Sequence, residues 1–272
     1  PAEMGVLVDE RVDTRDLTST LLDLAVRGYL RIEEKESTSF LFLSNRDYAL
    51  ERTAKDDADL REHERLLLSS LFASGNSVTA SKLQNRFYLH VPRITAALYK
   101  ELSGEAAYFP TSPDRVRANY RNAAIAVGGL AFLGVMIDQT PLAIACPMIA
   151  ALILFAFGTQ MPRRTLKGRR ACDEVKGFRE FVRRVDADRL ERSGGRTADR
   201  FEKILPYAVV LGVADQWAGA FADIYKEPPD WYRSSRASGG FRPSDFVSDV
   251  GRSLATLGGS LTSRPSSSGG SG

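Results

Sequence analysis

The sequence predicts a mainly α-helical membrane protein with a small β component, and three observations carry that prediction. An apolar segment occupies residues 122–162, with Asp138 as its only charged residue. Charged residues make up 26% of the chain and are concentrated in the two arms that flank this segment. The arms contain helical and extended patterns, and the chain ends in a run rich in Ser and Gly. The 272 residues are enough for two domains of ordinary size.

The first arm, residues 1–112, is predicted to be a winged-helix-like cytoplasmic domain. Asp13 or Thr14 can cap a helix with an apolar stripe at helical spacing, and Gly28 marks its end. The following sequence, RIEEKESTSFLFLS, predicts two short strands around a polar turn. A helix followed by a hairpin is how a winged helix ends. The stripe consists of Leu17, Leu21, Leu24 and Ala25.

The rest of the first arm is predicted to be mostly helical. Residues 59–73 favour a helix, residues 77–79 favour a turn or short strand, and two more helical stretches run to Leu102. The candidate core residues of this part are Leu60, Leu67, Leu68, Leu71, Phe87, Val91, Ile94 and Leu98.

The apolar segment is predicted to form a two-helix transmembrane hairpin within residues 113–162, with spans at about 122–137 and 141–160. One continuous helix would be far longer than a bilayer needs, because a span takes about 20 apolar residues with a lower limit near 17. The sequence from Asp138 to Pro141 supplies a polar break and a helix stop. Each span is near the short limit, so we expect little tilt. A buried helical hairpin of a soluble protein is the alternative.

Glycine and proline residues inside the spans bear on packing. Gly128, Gly129 and Gly134 permit close packing of the first span against the second. Glycine is also simply common in membrane helices, and both explanations stand. Pro147 is tolerated in the second span if neighbouring helices satisfy the freed carbonyl.

The charge flanking the hairpin predicts its orientation. Lys and Arg lie on both outer flanks and are absent from the connecting turn. Because positive residues favour the cytoplasmic side, both arms should be cytoplasmic and the turn outside. The cluster after the second span can also attract anionic lipid headgroups. The flanking basic residues are Arg115, Arg117, Arg121, Arg163, Arg164, Lys167, Arg169 and Arg170.

The second arm, residues 163–233, is predicted to be a helical cytoplasmic domain. The stretch ACDEVKGFREFVRRVDADRL favours an amphipathic helix that packs on a soluble neighbour or lies at the membrane surface. After a break at 193–195, RFEKILPYAVVLGVADQWAGAFADIY favours a helix that Pro206 interrupts. Residues 234–272 are predicted to be a disordered low-complexity tail, with a short, weakly amphipathic helix at 246–261. Candidate core residues are Val175, Phe178, Phe181, Val182, Val185, Phe201, Ile204, Leu205, Val209, Val210, Val213, Trp217 and Phe221.

The sequence offers no catalytic, cofactor-binding or metal-binding constellation. His63 falls on a solvated helix face and His90 at a helix start, which favours surface and capping roles. A metal site would need further ligands at suitable spacing. Cys146 lies inside the apolar segment and Cys172 just beyond it, so a disulfide framework is not indicated. We therefore expect no enzyme activity and no cofactor.

The distribution of charge argues against nucleic-acid binding. The net charge of +3 is too small to indicate it, and the predicted wing is net acidic at residues 33–36. A phosphate-facing wing needs Lys or Arg to displace counterions. The basic residues Arg86, Arg93 and Lys100 are too sparse in the sequence to count as a patch.

Three stretches of the chain carry a family resemblance: TLLDLAVRGYLRIEE, KGFREFVRRVDADRLE and FEKILPYAVVLGVADQWAGAFADIY. With the Ser/Gly-rich end, they resemble a family of predicted bacterial membrane proteins, the YciQ-like domain of unknown function 2207, in its C-terminal portion. The resemblance covers most of the chain, although the long glycine tail typical of the family does not follow Gly272. It implies a missing N-terminal half with a signal sequence, an extracytoplasmic β-rich domain and an earlier span. The family has no established activity, so no catalytic residues are implied.

The sequence thus predicts a multi-pass protein of the plasma membrane with both arms in the cytoplasm. We expect a non-enzymatic scaffold or signal-coupling protein whose partners are the bilayer, anionic headgroups and an unidentified protein. One alternative is a membrane-tethered nucleic-acid-binding regulator, which salt-dependent DNA binding would reveal. The other is a subunit of a transport assembly, which transport activity in reconstituted vesicles would reveal.

Overall fold

The computed structural model is mainly helical and contains a small four-stranded sheet. It describes residues 1–37, 45–137, 141–185, 190, 197–223, 225, 227–233 and 242–265. The helices are α1 (Ala2–Asp9), α2 (Thr14–Val26), α3 (Glu62–Leu71), α4 (Ala80–Leu83), α5 (Val91–Ser103), α6 (Pro113–Ile137), α7 (Pro141–Gly158), α8 (Leu166–Arg184), α9 (Ala198–Val210), α10 (Ala214–Gly219) and α11 (Pro243–Thr262), and a 3-10 turn covers Phe87–Leu89. The strands are β1 (Leu30–Ser37), β2 (Asn45–Arg52), β3 (Ser77–Thr79) and β4 (Tyr232–Arg233).

Helix α2 begins and ends where the sequence predicts. The Asp13 carboxylate accepts hydrogen bonds from the backbone N–H groups of Arg15 and Asp16, at 2.8 and 3.2 Å. Asp16 reciprocates, because its Oδ2 accepts from the Asp13 N–H at 2.8 Å. The two side chains therefore form a capping box. The helix stops before Gly28, whose φ of +80° suits glycine. The predicted stripe is buried at Leu17, Leu21, Leu24 and Ala25.

The sheet has the order β3-β2-β1-β4. β1 and β2 are antiparallel, with Leu30 opposite Arg52. The predicted second strand falls partly on residues 38–44, which lie outside the described residues; the described β2 begins at Asn45. β4 pairs in parallel with β1, Ile32 opposite Tyr232, and no local pattern had predicted this strand. The hairpin differs from the prediction, because β1 continues through residues 33–36, which were predicted to form the turn. The winged-helix assignment stays a prediction.

The chain forms two compact units, and most of both arms belongs to the same one. The two-arm unit consists of Pro1–Leu98 with Asp173–Gly272, and the apolar unit consists of Tyr99–Cys172. Separate domains had been predicted at 1–112 and 163–233. The structure divides the chain differently because β4 extends the sheet of the first arm, and because α2 packs against both α9 and α11. Such long-range pairing leaves no periodic signal in the sequence.

The predicted interruption in the second arm lies at a different residue. Pro206 is inside α9, which continues to Val210. The break comes at Gly212, whose φ of +70° separates α9 from α10. The indole N–H of Trp217 on α10 donates to the Phe201 carbonyl at 3.0 Å and thereby ties the two helices.

Helix α11 occupies most of the predicted tail. The sequence predicted only a short, weakly amphipathic helix here, within a disordered tail. Its apolar face is buried against the unit, and a Cβ at Gly258 would lie 2.5 Å from Cγ2 of Thr14. Close approach to α2 therefore depends on Gly258. Residues 234–241 and 266–272 of the predicted tail lie outside the described residues. The buried apolar face includes Phe246, Val247, Val250, Leu254, Leu257 and Leu261.

Candidate membrane interface

Helices α6 and α7 contact each other in antiparallel order. Tyr120 near the start of α6 lies against Gly158 at the end of α7, and Gly128 lies beside Ala151. Residues further along α6 therefore contact residues nearer the start of α7. This order places the start of α6 next to the end of α7.

Among the described glycines of the two helices, Gly158 lies closest to the partner helix. A Cβ there would lie 2.5 Å from the Cβ of Tyr120, which no real side chain tolerates without movement. A Cβ at Gly128 would stand 3.6 Å from its neighbour, and one at Gly129 would meet nothing within 4 Å. The surroundings of Gly134 lie outside the described part of the chain. Close packing by the glycines of the first span was one of two explanations left open. The structure shows ordinary contact at Gly128 and a tighter contact at Gly158, the glycine that ends α7.

Both helices expose large apolar side chains. Ile125 and Phe132 on α6 are 67% and 66% exposed, and Leu142 and Leu152 on α7 are 73% and 68% exposed. Monomeric soluble proteins rarely expose contiguous apolar patches larger than a few hundred Å². This surface therefore requires apolar surroundings. Its other members are Leu130, Leu133, Met136, Met148, Ile149, Ile153, Phe155 and Phe157.

Among the described residues, α7 is the one helix that is long and apolar enough to cross a bilayer by length and composition. It has 18 residues with a mean hydropathy of 2.2, and 6% of it is buried. Helix α6 has 25 residues, but its first half carries arginines and its apolar run starts only at Ala123. Two spans were predicted, and one of them, α7, meets the criteria of length and composition. The predicted turn, residues 138–140, lies outside the described residues.

The predicted flanking cations lie in the segments that enter and leave the helix pair at one end. Nε of Arg117 donates to the carbonyl of Thr159, just beyond α7, at 3.5 Å. Between residues 113 and 170 the sequence has eight Lys and Arg residues against two acids, Asp114 and Asp138. The cations lie in the first half of α6 (Arg115, Arg117, Arg121), in the link after α7 (Arg163, Arg164) and in the first turns of α8 (Lys167, Arg169, Arg170).

Thr165 fastens the start of α8 to the segment that precedes α6. Its hydroxyl lies 2.8 Å from the Ala107 carbonyl, and its backbone N–H donates to the Tyr108 carbonyl at 2.9 Å. The same hydroxyl accepts from the Gly168 N–H at 3.0 Å and so caps α8. A Cβ at Gly168 would lie 2.1 Å from the Tyr108 carbonyl oxygen. The chain entering the helix pair is thus bonded to the chain leaving it, which sequence reasoning missed although Thr is a common cap.

Buried charges in the two-arm unit have fixed partners. Nη1 of Arg27 donates to Oδ2 of Asp23 at 2.9 Å and to Oε1 of Glu64 at 2.8 Å, and both carboxylates are buried. Glu64 also accepts from the backbone N–H of Arg61 at the start of α3. The group joins α2 to α3 and has a structural role.

The two histidines have different surroundings. His63 was predicted to be solvated and is 3% exposed, because it lies four residues before the buried Leu67 and shares its face. His90 is exposed at the start of α5, where its carbonyl accepts from the Ile94 N–H at 3.2 Å. In the part of the chain that the structure describes, no group of three His, Cys, Asp or Glu side chains could hold a metal ion.

A comparison with known protein families identifies the family of the chain. Residues 1–221 match a family model described as "Predicted membrane protein (DUF2207) C-terminal domain". The chain belongs to this family. The resemblance carried by residues 20–34, 176–191 and 201–225 is thereby confirmed for the first 221 residues. No curated protein and no solved structure matches the chain. The DUF2207 family is one of predicted membrane proteins of unknown function, which agrees with the apolar surface of α6 and α7.

Proposed function

We propose that this DUF2207 chain is a non-enzymatic membrane protein whose helices α6 and α7 both cross the bilayer and anchor a cytoplasmic interaction domain. The exposed apolar side chains on both helices carry the proposal. Helix α6 has 25 residues and is about 37 Å long, so it reaches across a hydrocarbon core of about 30 Å. Its arginines lie in the first half, where their side chains can extend to the headgroups.

The shared fold of the two arms supports two crossings over one. Residues before α6 and residues after α7 contribute to a single unit, in which β1 pairs with β4. A chain that crossed the bilayer once would leave these strands on opposite sides. The segment between them must therefore cross an even number of times.

The position of the cations supports a cytoplasmic two-arm unit. The eight Lys and Arg residues flank the end of the helix pair from which both arms depart. Positive residues favour the cytoplasmic side of a membrane. Each also attracts anionic headgroups, by about 1 kcal/mol at the surface.

Accessibility of single cysteines tests this topology. The native Cys172 is 2% exposed and would report burial rather than sidedness, so both native cysteines are first replaced by Ala. Reporters are then placed at Ser69 on α3, at Lys203 on α9 and at Gln139; the first two are exposed. An impermeant maleimide applied to intact cells should label Gln139→Cys alone, and permeabilised cells should show labelling of all three.

Each other labelling pattern contradicts a separate part of the proposal. Labelling of both arms in intact cells would reverse the orientation. Labelling of only one of the two arm positions, Ser69→Cys or Lys203→Cys, would mean that the segment between the arms crosses the bilayer an odd number of times. Protection of Gln139→Cys in intact cells would exclude the double crossing.

The interaction role has its own test. Photo-crosslinking groups are placed in intact cells at exposed positions of the two-arm unit, such as Lys203. We expect one adduct of defined mass from neighbouring positions on one face and none from the opposite face. Uniformly absent adducts from both arms would remove the basis for an interaction domain.

A further inference from the structure

Leu89 stands out on the surface of the two-arm unit. It is 67% exposed, and among the described residues it is the one large apolar side chain of that unit that is fully at the surface. It ends the 3-10 turn between α4 and α5. The neighbouring Phe87 is 1% exposed, so the turn is anchored in the core and presents Leu89 outward.

Polar and basic side chains lie within a few residues of Leu89, on the turns before and after it. Arg86, His90 and Arg93 are exposed and follow one another at spacings of four and three residues, linked by backbone bonds such as Arg93 N–H to the His90 carbonyl at 3.1 Å. Lys82 lies in the last turn of α4 and is also exposed.

Helix α11 adds a further cation to this surface. The backbone N–H of Asn85 donates to the hydroxyl of Ser263 at 2.8 Å, which holds the end of α11 against the loop before the turn. The guanidinium of Arg264 then lies 5.9 Å from the centre of the Tyr88 ring. Arg86 and Arg93 looked sparse in the sequence, but the fold groups them with Lys82 and Arg264.

Acidic residues are absent from both segments that build this surface. Residues 65–100 contain five Lys and Arg residues and no Asp or Glu, and residues 250–272 contain no Asp or Glu. The nearby Asp47 on β2 accepts two hydrogen bonds from Ser81, at 3.2 and 2.6 Å. The surface therefore presents one apolar side chain within a positive field.

We propose that this surface, which we call the Leu89 surface, docks on the anionic lipid surface of the bilayer that holds α6 and α7. It consists of Leu89 with Lys82, Arg86, His90, Arg93 and Arg264. The cations would contact lipid phosphates, and Leu89 would enter the boundary between headgroups and acyl chains. The proposal rests on the membrane placement of the chain. It adds a second, reversible contact between the two-arm unit and the membrane.

The chemistry favours lipid over nucleic acid. A duplex would use the cations alone, and proteins that bind DNA strongly through phosphates make about 6–10 such contacts. The Leu89 surface has four Lys and Arg residues, and its central side chain is aliphatic rather than an aromatic ring on which a base can stack. An apolar tip ringed by cations is the pattern of interfacial membrane contacts. The anchor also keeps the unit close to a bilayer, so a weak contact suffices.

A fluorescent probe on the full chain tests the docking. The chain, with Cys146 and Cys172 replaced by Ala, is placed in lipid nanodiscs, either of phosphatidylcholine alone or enriched in phosphatidylglycerol. An environment-sensitive probe at Gln84→Cys, exposed beside the cations, leaves Leu89 native; the same probe at the exposed Ser69→Cys on α3 is the control. In anionic discs the probe at residue 84 should shift to the blue and be quenched by spin-labelled lipids. Neither change should occur at residue 69.

Variants separate the two components of the contact. Arg86→Gln and Arg93→Gln should each lower the ratio of docked to undocked protein by about fivefold in anionic discs. Leu89→Gln should reduce the quenching while the protein remains in the discs. Equal spectra for residues 84 and 69 in anionic discs would overturn the proposal, as would docking that survives both arginine substitutions. A larger blue shift with duplex DNA than with lipid would assign the surface to nucleic acid and overturn it too.

The outcomes distinguish this inference from the proposed function. A chain that does not enter nanodiscs contradicts the membrane anchor itself. A chain that copurifies with the discs but shows no spectral change at residue 84 leaves the anchor intact and overturns only the docking.

Discussion

Gly158 is the described glycine of the α6–α7 pair at which a side chain would be tolerated least. Gly158→Ala would place a Cβ 2.5 Å from that of Tyr120, so the helices must separate or shift. Overpacking of this kind costs about 1–3 kcal/mol. We expect a lower unfolding temperature in detergent and weaker disulfide crosslinking between Arg117→Cys and Thr159→Cys.

Gly129→Ala is the matched control on the partner helix. A Cβ there meets nothing within 4 Å, and Ala is the better helix former by about 1 kcal/mol. The control should therefore leave the unfolding temperature unchanged or raise it. If both variants unfold at the same temperature, Gly158 is not the point of closest packing.

Asp16 couples the stability of the two-arm unit to pH. Its pKa is raised from the usual 3.8 to about 8. Burial is the largest cause; the hydrogen bond from the Asp13 N–H opposes it, and the nearby carboxylates of Asp13 and Asp9 add to it. A raised pKa means that the folded state holds the proton more tightly than the unfolded state. The stability gained is present in full below about pH 4 and is lost as the pH rises toward 8.

Asp16→Asn should remove this pH dependence. The amide oxygen can still accept the hydrogen bond from the Asp13 N–H, now 2.8 Å long, but the side chain no longer ionises. Relative to the native chain, the variant should therefore gain unfolding free energy as the pH rises from 5 to 8. Chemical denaturation at both pH values measures the difference.

Asp13→Asn serves as the control for Asp16→Asn. It removes an exposed carboxylate one helical turn away while keeping the cap. It should retain most of the native change in stability between pH 5 and 8. Parallel behaviour of the Asp16→Asn variant and the native chain across this range would show that Asp16 ionises freely in the folded state.

At the scale of elements, α11 is held by an aromatic cluster. Phe246 is 4% exposed, and its ring centre lies 5.4 Å from that of Tyr232 and 5.7 Å from that of Trp231. The Trp231 indole donates to Oε2 of Glu202 at 2.8 Å, which fixes the cluster to α9. The helix therefore depends on residues on both sides of the undescribed segment 234–241.

Phe246→Ala should loosen α11 before the rest of the unit. Truncation of a buried Phe costs about 3–5 kcal/mol. Hydrogen exchange should rise first across residues 243–262 and then in α2, against which α11 packs. Ser248→Ala, at an exposed position of the same helix, should leave exchange unchanged. Equal protection of α11 in both variants would mean that the cluster does not hold the helix.

The elements that the sequence predicts well are those with local signals. The cap and stripe of α2, the helix α3 and the apolar face of α9 follow from spacing within a few turns, whereas α11 was predicted only as a short, weakly amphipathic helix. The pairing of Ile32 with Tyr232 joins residues about 200 positions apart, and no periodicity records it. The packing of Tyr120 on Gly158 and the bonds of Thr165 are likewise long-range, and the sequence did not predict them.

At the scale of the whole molecule, the apolar unit is an insertion into the two-arm unit. The first arm lacks β4, α9 and α11 until the second arm has been synthesised. Leu21 and Leu22 on α2 and Leu30 on β1 are fully buried in the complete unit. Closing so long a loop adds only a modest entropic cost, because that cost grows with the logarithm of loop length. The two arms therefore act as one folding unit, although the apolar unit separates them in the sequence.

The boundary of the family match does not coincide with the boundary of the folded unit. The match ends at residue 221, whereas β4 and α11 lie beyond it and contribute buried residues to the same core. A chain ending at residue 221 should therefore expose the faces of α2 and α9 that these elements cover, and should aggregate or be digested rapidly by protease. A chain ending at residue 265 retains both elements and should match the full chain in limited proteolysis and in gel filtration in detergent. If the chain ending at residue 221 resists protease as well as the chain ending at residue 265, then β4 and α11 are peripheral, and the first 221 residues form the stable unit by themselves.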